Sequence, residues 1–257
     1  TDPGSAYCYI GSSAWVSQLT EEPMLDPQAR IFNVTDMDGK FNHMIGTVQC
    51  GAAAFNWALE NFFSGGSGSA AEISVVENLA RSVAPGAEGV LFLPTLMGER
   101  TPYWDENTRG CLLGFTLYHN RRHVARAVYE GIAFALNSCY QIMQELDGRQ
   151  HSITLAGGGA RSGLWPNILA SVFGTQTRVH SAPGECTSLG AAIAAGVGVG
   201  LFEDYAQGAK MARTRSTHEP NEAWMEKYRE IYPIYARMYA QLKPLYDEIA
   251  ALRQSDG

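Results

Sequence analysis

Apolar and polar positions alternate over short stretches in the first fifty residues, then recur at helical spacing. Ala6–Ile10 and Trp15–Leu19 read as strands around the small-residue turn Gly11-Ser12-Ser13-Ala14, which predicts a β-hairpin with a Gly-Ser-Ser tip. Ile31–Thr35 and Met44–Gln49 predict two further strands across a polar turn at Asp36–Lys40. From Cys50 the period changes, and a helix to about Phe62 places Phe55, Leu59 and Phe62 on one face. Ala70–Ala84 predicts an amphipathic helix stopped by Pro85-Gly86. Val90–Leu93 and Gly110–Gly114 predict short strands. Asn120 is placed to cap a long helix, Arg121–Leu146, with Val124, Val128, Ile132, Ala135, Leu136 and Ile142 on its apolar face.

The densest pattern follows that helix. Ile153–Ala156 reads as a buried strand, and Gly157, Gly158 and Gly159 end it. Ser162 then stands at an N-cap position before Leu164, Ile168, Leu169, Val172 and Phe173. Strand, glycine turn and capped helix together present backbone N–H groups and a positive helix end, a site for a nucleotide or another anion. The plainer alternative is a tight packing turn with no ligand. The Gly11-Ser12-Ser13 tip carries the same ambiguity, because amide and hydroxyl donors there suit a phosphate or simply turn the chain. Thr177–His180 predicts another strand, and Ser188–Gly196 a helix of small residues able to press close to a neighbour. Asp204–Ala212 predicts a short helix. Asn221–Ala251 predicts a long one with Trp224, Tyr228, Ile231, Tyr235, Tyr239 and Leu242 in a packing stripe, kinked or broken at Pro233 and Pro244.

Composition narrows the classes. The 257 residues suffice for one large domain or two small ones, and 46% hydrophobic with 18% charged is ordinary for a globular protein. No apolar run reaches membrane-spanning length. A formal charge of −7 without a long basic cluster argues against duplex nucleic acid and anionic membranes as partners. Cys8, Cys50, Cys111, Cys139 and Cys186 are odd in number and scattered, which predicts reduced thiols and a cytoplasmic setting. His119 and His123 lie four apart but lack the further ligands of a metal motif. Ser64–Ser69 reads as a flexible surface loop. Gly98–Asp105 packs acid, base, hydroxyl and two aromatics into eight residues, a loop that either binds something or docks another part of the protein.

Two familiar nucleotide fingerprints fail. Ser162 stands where a dinucleotide motif needs its third glycine, and the following strand ends in His180-Ser181 with no acid for a ribose. No Lys-Ser or Lys-Thr follows the glycines as in a P-loop. Two separated devices remain, a Gly-Ser-Ser hairpin and a later glycine turn. That combination suits an actin-like clamp in which the hairpin holds phosphates and the turn holds adenosine.

With these blocks in place, nearly the whole chain resembles the C-terminal half of the FGGY family of carbohydrate kinases. Leu93–Asp105 resembles that family's Leu-Pro-Tyr-Leu-x-Gly-Glu-Arg-Thr-Pro loop, and Gly114–His119 through Ala127–Gly131 one of its signature patterns. Ala156–Ser162 and Ser188–Gly196 resemble its adenosine motif and the Gly-Ala-Ala helix after it. The resemblance implies an α/β fold of the ribonuclease-H-like, actin-like ATPase class, a mixed sheet flanked by helices. It implies ATP-dependent phosphorylation of a sugar, with D-xylulose the foremost acceptor. Gluconate, ribulose and related kinases share these blocks, so one of their substrates is an alternative acceptor, and an actin-like nucleotide-binding module without transferase activity is a further alternative.

Gly11, Ser12 and Ser13 match the second phosphate motif, with Ser12 where threonine is usual. Gly51 and Phe55 match the helix start beside the nucleotide, and Gly158, Gly159 and Ser162 the adenine-binding turn. The implied cofactors are ATP and Mg2+; the implied partners are a small sugar, the protein's own N-terminal domain and, among the options, a second copy as homodimer. The family's catalytic Asp, first phosphate motif, magnesium-linked carboxylate and most sugar contacts lie in an N-terminal half that would precede Thr1. Asp2 falls in the segment after that base and is not it. Residues 1–257 are therefore expected to be the ATP-binding half, inactive alone.

Overall fold

The computed structural model describes residues 4–63, 69–148 and 152–255. Thr1-Asp2-Pro3 and most of the Ser64–Ser69 stretch lie outside the described residues. In chain order, β1 (Ala6–Ile10) and β2 (Ala14–Thr20) form the expected hairpin, followed by β3 (Phe32–Thr35) and β4 (Asn42–Val48). Next come α1 (Ala52–Ala58), α2 (Ala70–Arg81), a two-stranded ribbon of β5 (Leu91–Leu93) and β6 (Cys111–Leu113), and the long α3 (Arg121–Asp147). The remainder is β7 (Ile153–Ala156), α4 (Trp165–Phe173), β8 (Thr177–His180), α5 (Cys186–Gly198), α6 (Tyr205–Ala209), β9 (Thr214–His218) and α7 (Glu222–Ser255).

The main sheet has seven strands in the order β3-β4-β2-β1-β7-β8-β9. β1, β7 and β8 are parallel, while the pairs β1–β2, β2–β4, β3–β4 and β8–β9 are antiparallel. β4 therefore runs in the direction of β1. The C-terminal ends of β1, β4, β7 and β8 line one edge of the sheet, and the loops singled out in the sequence emerge there. Strand alternation sends Cys8, Ile10, Val16, Met44, Val48 and Leu155 into the core, where α3 packs across β2 and β4. α3 also touches α2, α4, α7 and β5, so it is buried nearly all round. Asn120 caps it as expected.

Several expectations need correction. The helix after Cys50 becomes π-helical at Leu59–Phe63. The wider turn rotates Phe62 off the shared face, leaving it 43% exposed while Leu59 is buried. α2 stops three residues short of the predicted end, and Ser69 starts it with a capping box to Glu72. α7 is neither broken at Pro233 nor at Pro244. Each proline costs a helix roughly 3 kcal/mol, and burial of Tyr228, Ile231, Tyr235, Met238 and Tyr246 against the core offsets that. The small-residue helix α5 meets a helix rather than the sheet: its Ile193 lies against Gly208 of α6, and of its own residues only Gly196 is buried, beside Phe202. β9 had no clear apolar alternation and was not expected. Among the described residues no helix is long and apolar enough to cross a membrane.

Candidate functional site

The two glycine devices meet at the end of β1. Parallel pairing sets Tyr9 opposite Ala156, so the hairpin tip and the glycine turn leave adjacent strands side by side. The tip also carries the start of α1. Gly51 and Ala53 donate their N–H groups to the Ser12 carbonyl at 2.9 and 3.1 Å, and Ala52 donates to the Gly11 carbonyl at 2.7 Å. A Cβ on Gly51 would come within 2.6 Å of the Ala14 methyl and 2.9 Å of the Gly11 carbonyl, so only glycine allows this contact. The first amides of α1 are thus taken by the hairpin, while Ser12 is exposed and Ser13 half-buried at the tip. Phe55 is buried edge-on against Tyr129 and beside Trp165. It is a wall that sets the angle of α1, not a surface open to a ligand.

The turn after β7 is shaped by the same neighbour. Gly157 has φ 84°, and a Cβ there would run into the Ile10 carbonyl. Its N–H donates to the Pro183 carbonyl at 2.6 Å, which ties the turn to the segment after β8. Gly159 is buried against Ile10 and Trp165. Gly158 differs, since a Cβ on it would meet nothing within 4 Å. Packing against a neighbour does not account for that glycine.

Ser162 caps α4 although the helix begins at Trp165. Its Oγ accepts from the N–H groups of Leu164 and Trp165 at 3.0 and 3.1 Å, and donates to Glu77 at 2.7 Å. The same Glu77 oxygen accepts from the Gly163 N–H at 3.1 Å, and the other pairs with Arg81 at 2.8 Å. The helix end that the sequence offered to an anion already faces a carboxylate. The turn suits the uncharged end of a nucleotide better than its phosphates, and the Ser162 hydroxyl acts as a brace.

A third feature lies beyond β4. Glu99–Asp105 folds back on itself, with Glu99 and Asp105 exchanging backbone hydrogen bonds at 2.9 and 3.1 Å. It then continues the sheet where β3 stops. The Thr101 N–H donates to the Thr47 carbonyl at 3.2 Å, the Thr47 N–H to Thr101 Oγ1 at 3.1 Å, and the Gln49 N–H to Glu99 Oε1 at 2.8 Å. α7 holds the loop from behind: Tyr103 stacks on Tyr239 at 3.8 Å, and Asp105 accepts from Tyr239 Oη at 2.9 Å with Lys243 at 3.4 Å. Burial pushes the Glu99 carboxyl up to about 7, partly opposed by the N–H groups of Arg100 and Gln49 and the Arg100 charge. The density of charge and aromatics flagged this loop in the sequence, but its place beside β4 had no sequence signal.

The tip supplies hydroxyl and amide donors, which suit phosphate oxygens. Among the described residues no group of three or more His, Cys, Asp or Glu is placed to hold a metal ion. The described residues do not by themselves fit Mg2+.

Residues 6–199 match the model of the FGGY family of carbohydrate kinases, C-terminal domain. The xylulose kinase of Staphylococcus epidermidis is 32% identical over 253 residues, covering 96% of this chain and 49% of that protein. The gluconokinase of Bacillus licheniformis is 29% identical over 254 residues, with 96% and 49% covered. Among solved structures, a ligand-bound xylulose kinase from Lactobacillus acidophilus superimposes with TM-score 0.87 at 26% identity, covering 96% of this chain and 49% of its own. A gluconate kinase from the same species gives 0.84 at 26%, with the same coverage. The chain spans about half the length of the curated relatives it matches.

Proposed function

We propose a function from the premise that this chain belongs to the FGGY family of carbohydrate kinases. Its fold is the actin-like ATPase fold of those sugar kinases, a mixed sheet flanked by helices. On our reading the chain is the C-terminal, nucleotide-binding half of an ATP-dependent sugar kinase, with D-xylulose as acceptor. Gluconate is the second candidate acceptor, because a gluconokinase stands beside the xylulose kinases at nearly the same identity. The observation that carries this reading is the convergence of hairpin tip and glycine turn on the end of β1.

In this reading Ser12 and Ser13 receive phosphate oxygens through amide and hydroxyl donors, while Gly11, whose N–H donates to the Ser13 carbonyl at 3.0 Å, shapes the tip that presents them. Gly158 lets adenosine lie against the backbone, and Gly159, packed on Ile10 and Trp165, holds the turn close to β1 for it. Gly51 and Phe55 fix α1 beside the tip, and Ser162 holds the turn through Glu77. Phosphoryl transfer depends on positioning and on stabilising charge over the transferred group. The base that takes the acceptor's proton is assigned to an N-terminal half, as are the carboxylates for Mg2+. The exposed apolar surface of α5 supports such a partner, since Val199 and Leu201 just beyond it are 81% and 72% exposed. The five free cysteines support a reducing, cytoplasmic setting.

The test is an ADP-release assay on this chain alone and on the chain joined to an N-terminal half from a xylulose kinase. The chain alone is expected to be inactive, and the joined protein to turn over D-xylulose. Gly158→Val is expected to weaken ATP binding, read by calorimetry, in a folded protein. Ser12→Ala is expected to lower turnover by about tenfold, the loss of one donor to a charged group. Turnover by the isolated chain, surviving repurification, would show that the active site lies elsewhere.

A further inference from the structure

A cavity of about 540 Å³ opens at the end of β4, lined by Gln49, Met97, Gly98, Glu99, Arg100, Trp104 and the three residues after it. The proposed nucleotide roles use none of these residues. The floor is polar and fixed. Glu99 is 7% exposed, and its bonds from Gln49 and Arg100 both fall on Oε1, leaving Oε2 for another donor. At the rim, Arg100 is exposed and enters no ion pair among the described residues. Trp104 is 61% exposed, held edge-on by Phe32 and by its Nε1 donating to the Ala29 carbonyl at 3.3 Å. A carboxylate, a guanidinium, an amide and an aromatic face are the groups that recognise vicinal hydroxyls and the C–H face of a polyol.

Sheet order gives the cavity its place. β7 ends in the turn proposed for adenosine, β1 and β2 in the tip proposed for phosphates, and β4 at the cavity. Three strand spacings separate β7 from β4, roughly 14 Å. A nucleotide lying along this edge with adenosine over β7 points its terminal phosphate toward β4. The loop is pre-organised there by its bonds to Thr47 and Gln49 and by the clamp from α7, so its side chains need little ordering.

We propose that this cavity is the acceptor-side wall of the site and takes a polyhydroxylated sugar or sugar acid, with Arg100 and Trp104 as specificity-determining residues. Glu99 and Gln49 accept from and donate to hydroxyls at its floor. The proposal rests on the kinase reading above, and the experiment separates the two.

Arg100→Gln and Trp104→Leu are made in the joined protein, with melting curves to confirm folding and Trp104→Phe to restore the aromatic face. The KM for the sugar is expected to rise about tenfold in Arg100→Gln, while the KM for ATP stays within twofold. Trp104→Leu moves the same constant less, and Trp104→Phe returns it toward the original. D-Xylulose and D-gluconate are assayed in parallel. If gluconate is the acceptor, its carboxylate makes Arg100→Gln more costly than it is for a neutral sugar. Sugar KM values within twofold in both variants, on a parent that phosphorylates one of the sugars, overturn the proposal and leave the kinase reading standing. A rise in KM for ATP alone also overturns it. A parent that phosphorylates neither sugar overturns the kinase reading and this proposal with it.

Discussion

α3 and α5 invert the usual relation between composition and burial. α3 carries His123, Arg126, Glu130 and Asn137, and all four are buried. α5, Cys186–Gly198, contains no charged residue, yet all but Gly196 remain at least partly accessible. The difference lies in the surroundings. α3 is enclosed by strands and four helices, and its buried Arg126–Glu130 pair finds partners there: Arg126 Nε donates to Glu130 at 2.5 Å, Arg126 Nη2 to Tyr228 Oη at 2.7 Å, and the Gly86 N–H to Glu130 at 3.0 Å. Trp224 covers the guanidinium at 4.6 Å. Beside α5 lie the short α6 and Phe202. A polar helix with partners can be central, and an apolar one without them stays at the surface until something covers it.

The contrast breaks most sharply at the buried pair. Glu130→Ala strands the Arg126 charge and is expected to cost about 3–5 kcal/mol, measured by denaturant unfolding. Replacing both partners, Arg126→Met with Glu130→Leu, is expected to recover most of that loss, because no charge is left buried. A double variant as unstable as the single one would show that shape, not charge, is what α3 requires there.

Glu99 sharpens the comparison from the other side, being a buried carboxylate with backbone amides where Glu130 has a guanidinium. Its folded value of about 7 lies above the ordinary 4.5. The stability it permits is therefore complete below about pH 4.5 and falls as pH rises through 7. The difference corresponds to roughly 3 kcal/mol. Glu99→Gln is expected to flatten that part of the stability profile, read as melting temperature between pH 4.5 and 8. An unchanged slope would place the titration on another group.

The smallest effect belongs to α5. Ala192→Glu and Leu201→Glu, both at exposed positions, are expected to change the stability of this chain by no more than about 0.5 kcal/mol. In the joined protein they are expected to lower activity by loosening the two halves. A large loss of stability in the isolated chain would mean that α5 packs on the sheet after all.

Legibility in the sequence followed how local each cause was. The hairpin, β7, α3 and its Asn120 cap were readable because period, turn residues and capping act within a few positions. Gly157, Gly158 and Gly159 announced a special turn, but the sequence could not separate their tasks. Gly157 answers to the Ile10 carbonyl, more than 140 residues earlier, whereas Gly158 answers to no neighbour. Glu77 was invisible as the partner of Ser162 because α2 and the turn meet only in three dimensions. The prolines of α7 misled, since local helix cost was outweighed by an aromatic stripe buried against the core. The exposure of α5 was missed for a related reason: apolar composition says what a helix would gain by burial, not whether a neighbour exists.

The hold of α7 on the loop after β5 has a consequence for biosynthesis. Asp105 is anchored by Tyr239, 134 residues downstream. While the ribosome is still making α7, the nascent chain can complete its hairpin and the parallel core, but the Glu99–Asp105 segment has no clamp. Until α7 is made, this corner is held only by its own bonds to Thr47 and Gln49 and by Trp104 against Phe32, which leaves the outer edge of β4 more open to pairing with another strand.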